Sequence, residues 1–222
     1  LKRDLDISKL EDATRLALGA GHRLLQTHRL HWNDLDHVRD LLNVMQPPHG
    51  ARVLDAGCGI GEVSRLMSVM RPDLSFILAN VSPLQISLCP SEPQFERLLA
   101  DCHDLPLPDE HVDAVMFASA LTQMDAPTAL REAARVTKTR GIVFLFEMVR
   151  DGGDAEEFER VTTARVHKVN DLIAFARDVG LVLDRLFYPA TDDAHFRGML
   201  RDLGCERLID PIKPVIIRFR KA

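Results

Sequence analysis

The sequence predicts an α/β protein: a seven-stranded, mostly parallel sheet with helices on both faces, preceded by an N-terminal helical arm. Three observations predict it. From residue 51 onward, short apolar runs alternate with segments of helical periodicity. Gly141–Met148 is apolar almost throughout, as expected of a strand covered on both faces. Residues 53–61, Val-Leu-Asp-Ala-Gly-Cys-Gly-Ile-Gly, join a strand to a helix through a turn with glycine at alternate positions.

The elements follow in order. Residues 5–30 carry a helical stripe of Ile7, Leu10, Thr14, Ala17, Leu18, Gly21, Leu24 and Leu25. A second helix over 34–45 is closed by Pro47-Pro48-His49-Gly50. Residues 1–50 are therefore expected to form a helical arm or lid, and 51–222 the sheet domain. Ala51–Asp55 is the first strand, followed by a helix to about Met70. Leu74–Ala79 is the second strand. Ser82-Pro83-Leu84-Gln85 then reads as a capping box, with Ser at the N-cap and Pro at the first helical position. Leu98–Ala100 and Val112–Ala118 are strands three and four, and Asp125 caps the next helix. After strand five comes a polar insertion near 150–168. A helix over Asn170–Val179 stops at Gly180. Leu181–Phe187 and Ile212–Phe219 are the last strands, with short helix signals around 194–203 between them.

Composition narrows the function. With 222 residues and 46% hydrophobic content, the chain can bury one sizeable core. A net charge of −5 argues against bulk affinity for nucleic acid. Cys58, Cys89, Cys102 and Cys205 have neither metal spacing nor a disulfide framework, so no metal is expected and a reducing cytoplasm is the simplest setting. No stretch reaches membrane-spanning length and no signal-peptide pattern is seen. The first residue is Leu1 rather than Met, which leaves room for sequence before it.

The glycine loop poses a choice of nucleotide ligand. A dinucleotide fingerprint wants a small residue at the sixth position from Gly57, where Glu62 stands. Asp55 at the loop mouth would repel a pyrophosphate, and the Gly-Lys-Ser/Thr of a triphosphate loop is absent. An acid beside bare backbone suits a ligand carrying an amine. The stretch resembles motif I of the class I S-adenosylmethionine (SAM) methyltransferases, which have a Rossmann-like fold. The resemblance implies SAM as cofactor and S-adenosylhomocysteine as product. Backbone at Gly57, Cys58, Gly59 and Gly61 would hold the methionine part, and Asp55 its ammonium group.

The resemblance is clear over about 50–150. At the end of strand two the family usually carries an acid for the ribose hydroxyls; here it is Asn80, followed by Val81. A neutral amide still accepts from a hydroxyl, less strongly than a carboxylate. Asn80 with downstream Gln85 is similar to the subgroup of cyclopropane-fatty-acid synthases, terpene C-methyltransferases and natural-product O-methyltransferases, in which the Gln lies near the ribose. Asp101 and Cys102 match the positions that receive the adenine, with His103 beside them. Ala118, Ser119 and Gln123 follow strand four and would line the methionine end. Subgroup members often have Glu where Ser119 stands, so a base is missing there. Trp32, the only tryptophan, suits a lid over the sulfonium or an anchor for the arm.

Methyl transfer needs positioning more than acid help, and a base only when the acceptor must lose a proton. Candidates are Glu147 at the end of strand five, His167 after the insertion, and His31 beside Trp32; His103 and Tyr188 also flank the expected site. The expected function is methyl transfer from SAM to a small molecule, at oxygen or carbon, in biosynthesis, with a homodimer compatible. Rival readings are an RNA or protein methyltransferase, and a degenerate SAM-binding partner subunit, which the departures at Asn80 and Ser119 keep open.

Overall fold

The computed structural model describes residues 6–19, 35–150, 155–156, 159–160, 164–188, 201 and 212–222. Strands are β1 (Arg52–Ala56), β2 (Ser75–Asn80), β3 (Phe95–Leu99), β4 (Val112–Ala118), β5 (Thr137–Arg150), β6 (His167–Lys168), β7 (Leu181–Phe187) and β8 (Ile212–Lys221). Helices are α1 (Ile7–Gly19), α2 (Leu35–Met45), α3 (Glu62–Met70), α4 (Pro83–Leu88), α5 (Ala126–Val136) and α6 (Val169–Asp178), with a 3-10 turn at Leu121–Gln123.

The sheet runs β3-β2-β1-β4-β5-β8-β7, and β6 pairs with the end of β5. β8 is antiparallel to β5 and β7; the other pairings are parallel. The strand order reverses between β1 and β4, so a crevice opens at their carboxyl ends, the place where open α/β sheets take ligands.

Alternation along the strands divides the core. Leu54, Ile77, Val115, Phe117, Val143 and Leu145 face one side, where Leu130 and Ala133 of α5 and Leu172 and Ala176 of α6 cover them. Val53, Phe76, Met116, Phe144 and Ile216 face the other, under Val38, Leu41 and Met45 of α2 and Leu66 and Met67 of α3. Buried Arg218 of β8 fastens α2 to that face. Its guanidinium donates to the Val44 carbonyl at 3.0 Å and pairs with Asp184 at 2.6 Å. A cation at the carbonyl end of a helix is favourable electrostatically.

Some expectations are corrected. β5 is longer than 141–148 because β8 pairs with it out to Arg150. Among the described residues the sheet has one strand more than the seven expected: His167 and Lys168, between the insertion and the next helix, form β6. The capping box is half formed. Ser82 Oγ accepts from Gln85 N at 3.2 Å, but the Ser82 N–H goes to Asn80 Oδ1 at 3.0 Å instead of to Gln85. The helix signals around 194–203 fall outside the described residues save Arg201, as does 20–30 of the first expected helix.

Candidate cofactor and acceptor site

The loop after β1 folds back over the end of β2: the Gly57 and Cys58 N–H groups both donate to the Ala79 carbonyl, at 2.9 and 3.0 Å. Its glycines serve different ends. A Cβ on Gly57 would lie 2.7 Å from Ala120 Cβ, and one on Gly61 would lie 2.9 Å from Pro90 Cδ. Packing and positive φ both demand glycine there. Around Gly59, φ +57°, no atom lies within 4 Å of where a Cβ would be. That is the open stretch of backbone a ligand can approach.

Asp55 stands beneath this opening, 2% exposed, its Oδ2 accepting from Ser64 Oγ at 2.6 Å. Burial pushes its carboxyl up to about 7, and the Ser64 hydrogen bond opposes this in part. A buried carboxyl with one neutral partner favours a cationic ligand that would let it ionise. The residues present therefore fit the ammonium group of SAM.

At the end of β2, Asn80 Nδ2 donates to Gln85 Oε1 at 2.8 Å and approaches the Gly59 carbonyl at 3.4 Å. Gln85 Nε2 donates to Thr14 Oγ1 of α1 at 3.0 Å. Glu11 of α1 accepts from Ser82 Oγ and Leu84 N, each at 3.1 Å, and so caps α4 from outside. These contacts hold the carboxyl of Glu11 below its ordinary value, the Leu84 N–H most of all. Sequence reasoning missed Glu11 and read Thr14 as part of an apolar stripe. A polar pair at i and i+3 on that stripe was the available signal. Val81 is half-buried between Asn80 and the N-cap.

After β3, exposed Asp101 accepts from the His103 backbone N–H at 2.9 Å and faces its ring Nδ1 at 2.6 Å. The Asp125 N–H donates to His103 Nε2 at 2.9 Å. Nε2 is thus an acceptor and Nδ1 faces the Asp101 carboxylate, so both nitrogens are engaged. His103 orients Asp101 and has no nitrogen left to act as a base. Buried Cys102 has its thiol pushed up to about 12, chiefly by burial.

Ala118, buried at the end of β4, is followed by half-buried Ser119 at φ +54°, uncommon for a residue with a side chain. Its N–H donates to the Phe146 carbonyl at 2.7 Å, and half-buried Gln123 ends the 3-10 turn. Glu147 of β5 closes this turn: Oε1 accepts from Ala120 N at 3.0 Å and Leu121 N at 2.8 Å. Burial pushes its carboxyl up to about 8 against those backbone donors. At neutral pH Glu147 is a carboxylic acid, and it becomes a base only above that point. Its Oε2 has no partner among the described residues, nor has Nε2 of buried His167. Burial lowers the basicity of His167, so its imidazole is neutral; Phe175 packs edge-on to it at 6.0 Å. The Arg165 N–H donates to the Thr122 carbonyl at 2.6 Å, bringing the segment before His167 against the turn. His31 and Trp32 lie outside the described residues.

A separate open cleft of about 560 Å³, lined by Arg39, Gln46, Pro47, Met70 and Arg71 among others, lies at the opposite, amino-terminal end of β1. Arg71 there is bound to Asp73 at 2.6 Å.

A glycine loop at the sheet's switch point, a buried acid beneath it and further side chains at the ends of β2 and β3 define a class: the SAM-dependent methyltransferases of the class I fold. Residues 54–145 match the family model described as a methyltransferase domain. The ubiquinone/menaquinone biosynthesis C-methyltransferase of Caulobacter vibrioides is 26% identical over 196 residues, 82% of this chain and 75% of that protein. The malonyl-[acyl-carrier protein] O-methyltransferase of Serratia marcescens is 31% identical over 115 residues, 50% of this chain and 44% of that one. Among solved structures, geranyl diphosphate C-methyltransferase from Streptomyces coelicolor A3(2), in complex with S-adenosyl-L-homocysteine, superposes with TM-score 0.75 at 14% identity, covering 84% of this chain and 76% of that one. Among the described residues, no helix is long and apolar enough to cross a membrane.

Proposed function

We propose that this enzyme methylates a small molecule of phenol or enol type, at oxygen or at carbon. Asp55 would hold the SAM ammonium, the Gly57–Gly61 backbone its carboxylate end, Asn80 and Gln85 the ribose, and Asp101 with Cys102 the adenine. Bound SAM supplies a methyl group on a sulfonium, open to in-line attack. Everything else is positioning and proton handling by the chain.

One observation carries the acceptor reading. Glu147 and His167 come to the carboxyl end of β5, each buried, each with a polar atom unpartnered among the described residues. Glu147 is neutral at pH 7 and can donate to an acceptor oxygen. His167, neutral with a free ring nitrogen, can take the hydroxyl proton. An enol or phenol losing that proton becomes nucleophilic at oxygen and at the adjacent carbon, which suits either outcome. The named activities of the Caulobacter and Serratia relatives, a quinone C-methylation and a malonyl O-methylation, support the same range. A net charge of −5 disfavours nucleic acid as acceptor, and the scattered cysteines suit a reducing cytoplasm.

The test is methyl-labelled SAM offered with quinols, phenols, β-keto and malonyl thioesters, bulk RNA and a protein extract. Label should appear in a small molecule as one added methyl, and His167→Ala should lower kcat more than it raises KM. Label found only in RNA or protein, or nowhere while SAM binds, overturns the proposal.

A further inference from the structure

Two thiols meet at the cofactor loop. Cys58, in the middle of the glycine turn, and Cys89, which ends α4, have their Sγ atoms 3.8 Å apart. Both sulfurs also approach the carbonyl of Gly59, each at 3.5 Å, and Cys89 Sγ reaches the Gln85 carbonyl at 3.4 Å. Cys58 is half-buried and Cys89 is 2% exposed. The two are not equivalent. The Cys58 thiol is pushed well up, by its hydrogen bond to Cys89 first and by burial next, with Asp55 adding to this. Cys89 is lowered, because the Cys58 S–H stabilises its thiolate and Arg97, whose guanidinium donates to the Cys89 carbonyl, adds positive charge. A thiol that favours its thiolate, held 3.8 Å from a second thiol, is the arrangement of a reversible dithiol.

We propose that Cys58 and Cys89 form a reversible disulfide that restrains the cofactor loop. The bond requires the sulfurs to close by about 1.8 Å. The co-reactant is a hydroperoxide. The Cys89 thiolate attacks it and becomes the sulfenic acid, the O–O bond breaking and an alcohol or water leaving. The Cys58 sulfur then attacks the Cys89 sulfur. The S–S bond forms, the S–O bond breaks, and hydroxide leaves with the Cys58 proton as water. Two thiols are oxidised by two electrons in all, and one hydroperoxide is reduced.

The disulfide leaves neither sulfur with a proton to offer the Gly59 carbonyl and pulls Cys58 toward α4. Gly59 is the open position of the loop, and the Asn80 amide at 3.4 Å is left as its neighbour. Weaker cofactor binding is the expected consequence. The effect on binding rests on the SAM reading above; the disulfide itself does not.

The experiment treats the intact protein with hydrogen peroxide, then maps non-reduced peptides by mass spectrometry and titrates S-adenosylhomocysteine calorimetrically. The expected result is a Cys58–Cys89 cross-linked peptide, two hydrogens lighter, with affinity at least tenfold weaker and both changes reversed by dithiothreitol. Cys89→Ser should form no cross-link and keep its affinity after peroxide. Cys58 and Cys89 recovered as thiols or sulfinic acids, or joined to other cysteines, overturn the site. A cross-link with unchanged affinity overturns the restraint. Should the reduced protein fail to bind at all, the cofactor reading fails, while the peptide map still decides the disulfide.

Discussion

The proposed pairing of Asp55 with the SAM ammonium would make cofactor binding a proton-linked event. In the ligand-free protein its carboxyl is pushed up to about 7, against an ordinary 3.8. That difference corresponds to about 4 kcal/mol disfavouring the carboxylate. An ammonium group placed beside it reverses the balance, so binding should release a proton wherever the free protein still holds one. With a free-state value near 7 and a much lower one in the complex, affinity should fall about eightfold from pH 7.5 to pH 6.0. Calorimetry in buffers of different ionisation enthalpy should count about three-quarters of a proton released at pH 6.5 and about a quarter at pH 7.5. Asp55→Asn keeps the size of the side chain and an oxygen for Ser64. It should bind roughly ten- to a hundredfold more weakly at pH 7.5, the value of a charge-assisted hydrogen bond, and lose the pH dependence. Affinity that is flat from pH 6.0 to 7.5 with no proton release, in a protein that does bind SAM, would refute the pairing of Asp55 with the ammonium.

Other substitutions separate packing from binding. Gly57→Ala should destabilise the fold by about 1–3 kcal/mol, seen as a lower Tm, because its Cβ meets Ala120 at 2.7 Å. Gly59→Ala meets no atom within 4 Å and bears only the strain of φ +57°, about 1 kcal/mol, so its Tm should fall less than that of Gly57→Ala while cofactor affinity drops, read by calorimetry. The neutral form of Glu147 is favoured in the fold, so its stability contribution is complete below about pH 4.5 and is lost as pH rises through about 8. Urea unfolding of Glu147→Gln should accordingly decline less between pH 5 and 8 than that of the parent. Glu11→Ala removes the acceptor of Ser82 Oγ and Leu84 N, and amide hydrogen exchange should show faster exchange in α1 and at Leu84.

The strands were the most legible part of the sequence. β4 and β7 fall on the residues expected, because apolar runs bounded by turn residues mark strands directly. β6 was not legible: two residues, His167 and Lys168, carry no period, and only the end of β5 makes them a strand. Of the candidate site, the positions were legible and the partners were not. Asp55 could be read as an acid at the loop mouth; that Ser64 binds it depends on how α3 packs. The pattern of glycines could not show that Gly57 and Gly61 answer to Ala120 and Pro90, residues distant in sequence. His103 looked like a potential base until the Asp125 amide claimed its Nε2. Glu147 read as a base at a strand end, and only its burial makes it an acid at neutral pH.

The most direct test of the cofactor site is calorimetric titration of S-adenosylhomocysteine into the reduced protein at pH 7.5, beside Asp101→Ala. Asp101 is exposed and its carboxylate bonds to His103 alone among the described residues, so its replacement should cost the fold little, which an unchanged Tm would check. The account predicts saturable binding below a millimolar, weakened at least tenfold by that substitution. No binding by the parent, or equal affinity in the two proteins, would contradict it.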